Sequence, residues 1–236
     1  MTTIGANLQQ VRARITQACA ASGREASGVT LLAVSKTFDV DAVIEAMKAG
    51  QMAFGENYVQ EGVEKIQALR ALRPGHAVSW HCIGPLQSNK TRLVAAHFDW
   101  VQSVDRLKIA QRLSEQRPDG LPDLQVCLQV NIDGGANKSG VAPHELPALA
   151  DAVRQLPRLQ LRGLMCIPEP SDDPAEQMAV FLRARELFDQ LRARGMPLDT
   201  LSMGMSDDLE AAVAAGSTLV RVGRGVFGHR PRKPAA

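Results

Sequence analysis

Apolar and polar positions along the chain follow two alternating rhythms. In the first twenty residues Ile4, Leu8, Val11 and Ile15 recur at helical spacing, with Arg and Gln between them, which predicts an amphipathic helix. The next segment, VTLLAVSK (29–36), is a continuous apolar run of strand length, and a helical stretch over 39–50 follows, with Gly50 placed to end it. Strand-like runs recur at 51–57, 78–84, 99–104, 124–132, 159–168, 200–206 and 218–223. Helical runs lie between them at 58–72, 89–96, 105–117, 143–155, 174–194 and 207–215. Parallel strands covered by helices on both faces are continuously apolar rather than alternating. Strict β/α alternation therefore predicts a parallel α/β fold. Eight such strands in 236 residues predict a single (β/α)8 TIM barrel over residues 1–236, with an extra N-terminal helix. A doubly wound open sheet is the alternative, but it would want a switch point and usually fewer strands at this length.

Composition narrows the function classes. The chain is 45% hydrophobic and 22% charged, which excludes a largely disordered chain. Lys plus Arg is 27 against 25 Asp plus Glu, a net charge of +2, so the basic excess of a nucleic-acid binder is missing. The one basic cluster, Arg230, Arg232 and Lys233, reads as a frayed tail. No apolar run approaches the roughly 20 residues that span a bilayer, and MTTIGANLQQVRARI lacks the layout of a signal peptide. Cys19, Cys82, Cys127 and Cys166 form no CxxC pair, and the five histidines show neither HExxH nor HxH spacing, so no metal site is expected. These features predict a cytoplasmic protein with neither nucleic acid nor membrane as partner.

Chemistry in a barrel gathers at the C-terminal ends of the strands. Two of those ends carry cations: Lys36 follows LLAVS, and Arg221 is embedded in TLVRVG. A strand-end cation reaching water explains either one alone; two at one barrel mouth point to a shared anionic ligand. Desolvation and a neighbouring cation favour the neutral amine of such a lysine, the form that makes a Schiff base with an aldehyde. RVGRGVFG (221–228) contains GxGxxG at Gly223, Gly225 and Gly228, yet it lies eight residues from the last residue. No dinucleotide-binding unit is therefore expected after it. It reads instead as a glycine-rich loop whose backbone N–H groups could approach a phosphate. Ser206 in SMGMSDD stands at a helix start, a second anion-friendly place. The competing role is capping by Ser206 or Asp207, with Glu210 completing a box, and the two roles are compatible. SMGMSD is not GxSxG, since Asp208 occupies the last glycine position.

The motifs AVSKT, FGENYVQE, WHCIGPLQSNK, NKSG, LSMGMSDDLEAAVAAGST and VRVG with VFG occur in order over nearly the whole chain. Together they closely resemble the pyridoxal-phosphate homeostasis protein family, which is related to the N-terminal barrel of alanine racemase. The resemblance implies bound pyridoxal 5′-phosphate without established turnover. It implies that Lys36 is the Schiff-base lysine and that Arg221 faces the pyridine nitrogen. Ser206 and the backbone after Gly223 match the phosphate site, Asn57 in FGENY lines the pocket, and Met203 counts as a further cofactor-binding position. One position departs from the family, which commonly has Thr or Ser after VRVG; here it is Arg224. The expectation is that its N–H stays on the phosphate while the side chain turns to solvent. Folding over the phosphate is the other option.

A guanidinium at the ring nitrogen would keep that nitrogen unprotonated and make the ring a poorer electron sink. Racemisation also needs an acid/base on each face, and Tyr58 is the only tyrosine. The leading expectation is therefore a monomeric carrier that buffers the cofactor or delivers it to apo-enzymes that depend on it. The alternatives are a single-domain amino-acid racemase using the cofactor, and a barrel enzyme acting on a phosphorylated metabolite without it.

Overall fold

The computed structural model describes residues 3–73, 75, 77–135 and 139–228. Asn137 and Lys138 of NKSG, and the basic cluster Arg230, Arg232 and Lys233, lie outside the described residues. Helix α1 (Thr3–Ala21) is followed by β1 (Thr30–Val34), α2 (Val40–Lys48), β2 (Ala53–Glu56), α3 (Val59–Leu72), β3 (Ser79–Cys82), α4 (Thr91–His97) and β4 (Trp100–Val104). Then come α5 (Leu107–Gln116), β5 (Leu124–Gln129), α6 (Leu146–Val153), β6 (Leu159–Met165), α7 (Pro174–Ala193), β7 (Thr200–Ser202), α8 (Leu209–Ala214), β8 (Leu219–Val222) and α9 (Arg224–Phe227). The eight strands pair in sequence order as a closed parallel barrel. Closure is made by β1 on β8, with Leu32 opposite Arg221 and Ala33 opposite Val222.

The strands are shorter than the apolar runs predict. The run 200–206 yields only Thr200–Ser202; Gly204 at φ +96° makes the pairing irregular, although its carbonyl still accepts from the Arg221 N–H of β8 at 2.9 Å. The glycine-rich loop after β8 closes into the one-turn helix α9, which ends at Gly228 with φ +81°. Helix α2 stops as predicted, with Gly50 at φ +79° just beyond its last turn. The expected capping box before α8 does not form: Asp208 is the N-cap, its carboxylate accepts from the Met205 N–H, and Glu210 is drawn away to Arg14.

Period-2 alternation divides the strand residues between two compartments. Leu31, Ala33, Val220 and Val222 join the large core between barrel and helices, whereas Leu32, Val34, Ile83 and Leu219 cluster inside the barrel. The interior also holds polar side chains, His81, Gln102, Ser202 and Arg221 among them, all buried and joined by hydrogen bonds. Helix α1 buries Leu8, Val11 and Ile15 and packs against α2, α8 and α9. Truncating a fully buried leucine such as Leu8 to alanine would cost about 2–5 kcal/mol.

Strands β6 and β7 approach so closely at Gly163 that a Cβ there would fall 1.7 Å from the Thr200 carbonyl oxygen. No rotamer relieves a clash with backbone. Gly163→Ala is expected to destabilise the barrel by about 3 kcal/mol or more. Urea unfolding of the variant beside the parent chain checks this; a difference below about 1 kcal/mol would mean that the two strands separate freely.

Candidate functional site

A cleft of about 580 Å³ opens where the strands end, within the usual range for small-molecule sites. Lys36, Asn57, Ser206, Arg221, Gly223 and Arg224 all line it, with Val34, Phe38, Ile83, Ile167 and Met205 supplying apolar wall. Six of the seven residues expected from sequence thus share one cavity. The exception is Met203. It is fully buried in the core outside the barrel, because Ser202 before it points inward and alternation turns residue 203 outward. Met205 takes the place on the wall.

Lys36 lies two residues past the end of β1, in a turn, and is half-buried. Its neighbours are clamped by a buried ion cluster that sequence reasoning missed. Lys65 of α3 donates to the Ser35 carbonyl at 2.7 Å, to Glu56 Oε1 at 2.8 Å and to Glu61 Oε1 at 2.6 Å. The Ser35 hydroxyl donates to the same Glu56 oxygen at 2.5 Å, and the Thr37 N–H donates to Glu61 Oε1 at 2.5 Å. Thr37 has φ +70°, a left-handed conformation that a β-branched residue adopts only when its surroundings impose it. Burial pushes the Glu56 carboxyl above its ordinary range, and Lys65 and Ser35 pull the other way. The sequence did carry a signal: Glu61 and Lys65 form an i, i+4 pair beside the buried Val63, Ile66 and Leu69.

On β8, the strand paired with β1, Arg221 is buried, and burial lowers its pKa. Nη1 donates to the Ser202 carbonyl and hydroxyl at 2.8 and 2.7 Å, and Nη2 donates to the Cys166 carbonyl at 2.8 Å. A guanidinium has five N–H groups, so capacity remains for a ligand acceptor in the cleft. Asn57 places a buried Oδ1 there with no hydrogen-bond partner among the described residues, a cost that a ligand donor would remove.

Two loops meet beside these groups. A Cβ on Gly225 would come 2.8 Å from Val222 Cγ1 and 3.7 Å from Ser206 Oγ, so glycine lets the start of α9 settle against the β7 loop. The Val226 and Phe227 N–H groups bond back to the Gly223 carbonyl, while those of Arg224 and Gly225, at the helix start, have no acceptor within the helix. Ser206, these amides and the dipole of the turn suit a phosphate oxyanion. The Arg224 side chain is 64% exposed and reaches Asp207 at 3.4 Å, so it stands at the rim, turned to solvent. Helix α1 props the whole arrangement: Arg14 donates to the Ser206 carbonyl at 2.9 Å and forks onto both Glu210 oxygens, and Asn7 donates to the Val226 carbonyl at 3.0 Å.

The family model for the alanine racemase N-terminal domain matches residues 6–231. Pyridoxal phosphate homeostasis proteins of Pseudomonas aeruginosa and Escherichia coli are 60% and 53% identical over 230 residues, covering 98% of this chain and 97% and 98% of theirs. PipY of Synechococcus elongatus, solved with PLP bound, is 38% identical over 96% of this chain and all of that one, with a TM-score of 0.83. Alanine racemase of Clostridium difficile, at 16% identity, shares the fold with a TM-score of 0.73 over 97% of this chain and 57% of its own.

Removing Lys65 isolates the buried carboxylate of Glu56. Lys65→Met is expected to cost about 3–5 kcal/mol at pH 7. The folded-state pKa of Glu56, already raised, should rise further, so the folded protein holds a proton that the unfolded chain releases above its ordinary 4.5. Stability is then lost as pH rises through that window, and the penalty should be smaller at pH 5 than at pH 7. Urea unfolding at both values checks the sign; an equal penalty would mean that Glu56 does not titrate.

Proposed function

Because this chain belongs to the alanine racemase N-terminal domain family, and within it to the pyridoxal phosphate homeostasis proteins, we propose that it binds pyridoxal 5′-phosphate and buffers its supply without turning over a substrate. The observation that carries this reading is the convergence in one cleft of an amine, a buried guanidinium held by neutral oxygens, and a hydroxyl beside a glycine-bounded helix start.

Each residue has a part suited to its surroundings. Lys36 supplies the amine that holds the cofactor's aldehyde as a Schiff base, and the ion cluster beneath it fixes the backbone on both sides. Ser206, with the amides after Gly223, receives the phosphate, and Arg224 adds a backbone N–H while its side chain stays with Asp207. Arg221 directs an N–H at the ring nitrogen. Asn57 Oδ1 accepts from a polar group on the ring. When bound, the cofactor supplies an electrophilic aldehyde and an electron-withdrawing ring. A cationic donor facing the ring nitrogen opposes its protonation and blunts that withdrawal. Among the described lining residues there is no histidine, cysteine or tyrosine, and Tyr58 is exposed outside the cleft. The acid/base candidates of the lining are Lys36 and the rim carboxylate of Asp207, which is engaged with Arg224. With Asp207 turned to the rim, we favour a carrier over the racemase alternative, which needs an acid/base on each face. Delivery to apo-enzymes as a monomer remains part of the proposal.

Two experiments test the site. Borohydride reduction of the loaded protein, followed by peptide mass spectrometry, should place the adduct on Lys36; an adduct chiefly on another lysine, with Lys36 unmodified, would sink the assignment. In Arg224→Thr, affinity for the cofactor should change by less than about twofold and equally at low and high salt. A loss of tenfold or more, about 1.4 kcal/mol, that shrinks at high salt would show the guanidinium gripping the phosphate instead.

A further inference from the structure

The barrel interior holds a continuous hydrogen-bonded line of side chains. It starts at Arg221 in the cleft and ends at Ser79, the first residue of β3. Arg221 Nη1 donates to Ser202 Oγ at 2.7 Å, Ser202 Oγ donates to Gln102 Oε1 at 2.6 Å, and Gln102 Nε2 lies 2.9 Å from His81 Nδ1. His81 Nε2 in turn lies 3.0 Å from Ser79 Oγ. The line crosses from the upper cleft to a second cavity of about 400 Å³, lined by Ser79, His81 and Trp100 among others. There the imidazole stacks on Trp100, with centroids 5.0 Å apart and planes 9° from parallel. Arg221, Ser202, Gln102 and His81 are all buried.

The chemistry of these groups gives the line a direction. An amide nitrogen only donates, and an amide oxygen only accepts. With its oxygen on the Ser202 hydroxyl, Gln102 must turn its NH2 to His81 Nδ1, so Nδ1 carries no proton and Nε2–H donates to Ser79. Burial pushes the imidazole pKa down to about 3, which keeps the ring neutral at ordinary pH. A proton on Nδ1 would set two donors face to face and turn the amide over. Its NH2 would then meet Ser202, whose hydroxyl would lose its acceptor while Arg221 still donates to it. Arg221 is a buried cation whose three protein acceptors are uncharged, so small changes in those acceptors bear directly on it.

We propose that Gln102 and His81 are positioning residues for Arg221: the imidazole fixes the face of the Gln102 amide, Gln102 fixes the Ser202 hydroxyl, and Ser202 fixes the guanidinium at the cleft. The proposal rests on the reading that Arg221 holds the ring of the cofactor.

The first test uses the unaltered chain. Nitrogen-15 NMR of histidine-labelled protein at pH 7 should show a neutral His81 protonated at Nε2; the Nδ1–H tautomer or a charged ring would overturn the proposal. The second is a double-mutant cycle read as affinity for pyridoxal 5′-phosphate and as the absorbance of the bound cofactor. Gln102→Leu keeps the bulk and removes the amide. Alone it should weaken binding about tenfold and shift the absorbance; on top of Arg221→Leu it should add less than twofold. Unchanged affinity in the single variant, or the same loss in both backgrounds, overturns the proposal and leaves the role of Arg221 standing. Wild-type affinity in Arg221→Leu would remove both readings together.

Discussion

Closure of the sheet between β1 and β8 is the constraint on which the site depends. Parallel pairing of Ala33 with Val222 brings the turn after β1 against the loop after β8, joining segments from opposite ends of the chain. Phe38 and Phe227 then stack across the junction at 5.0 Å. Without that seam Lys36 and Gly223 would share no wall. Beyond the short β7, Gly204 still accepts from the Arg221 N–H, so the chain that leads to Met205 and Ser206 on the cleft wall stays tied to β8.

Two buried cations flank the cleft, and they are treated in opposite ways. Lys65 meets two carboxylates, so its charge is cancelled inside the protein and it acts as a structural peg. Arg221 meets two carbonyls and a hydroxyl, which solvate the charge without cancelling it. The field of Arg221 therefore reaches into the cavity. One cation is quenched inside the protein and the other is not, an arrangement that a count of charged residues does not reveal.

Much of the fold was legible because it rests on local periodicity. Apolar runs marked all eight strands, and the cations at Lys36 and Arg221 stood out because charge at the end of an apolar run demands a reason. What lay between elements was harder to read. The Ser35–Glu56–Lys65–Glu61 cluster joins β1, β2 and α3 through distances that no local pattern encodes. Gln102 and His81 sit in separate strand-like runs 21 residues apart, and only the closed barrel brings them together. Met203 is different: parity from Ser202 alone would have turned it outward. Arg14 read as one more polar residue on an amphipathic helix, yet it fixes the carbonyl of Ser206.

That last contact spans 192 residues and gives the site a place in time. A ribosome adds about 5–20 residues per second, so α1 is made on the order of ten seconds or more before the loop it braces. Until α8 and then α9 are made, only α2 of its three α-helical neighbours can lie against the helix that carries Leu8, Val11 and Ile15. The apolar stripe therefore stays partly uncovered through most of synthesis, and the segment that finishes covering it, α9, is the one that follows Gly223 at the mouth of the cleft. Completion of the cleft and full burial of the first helix thus arrive with the same segment of chain.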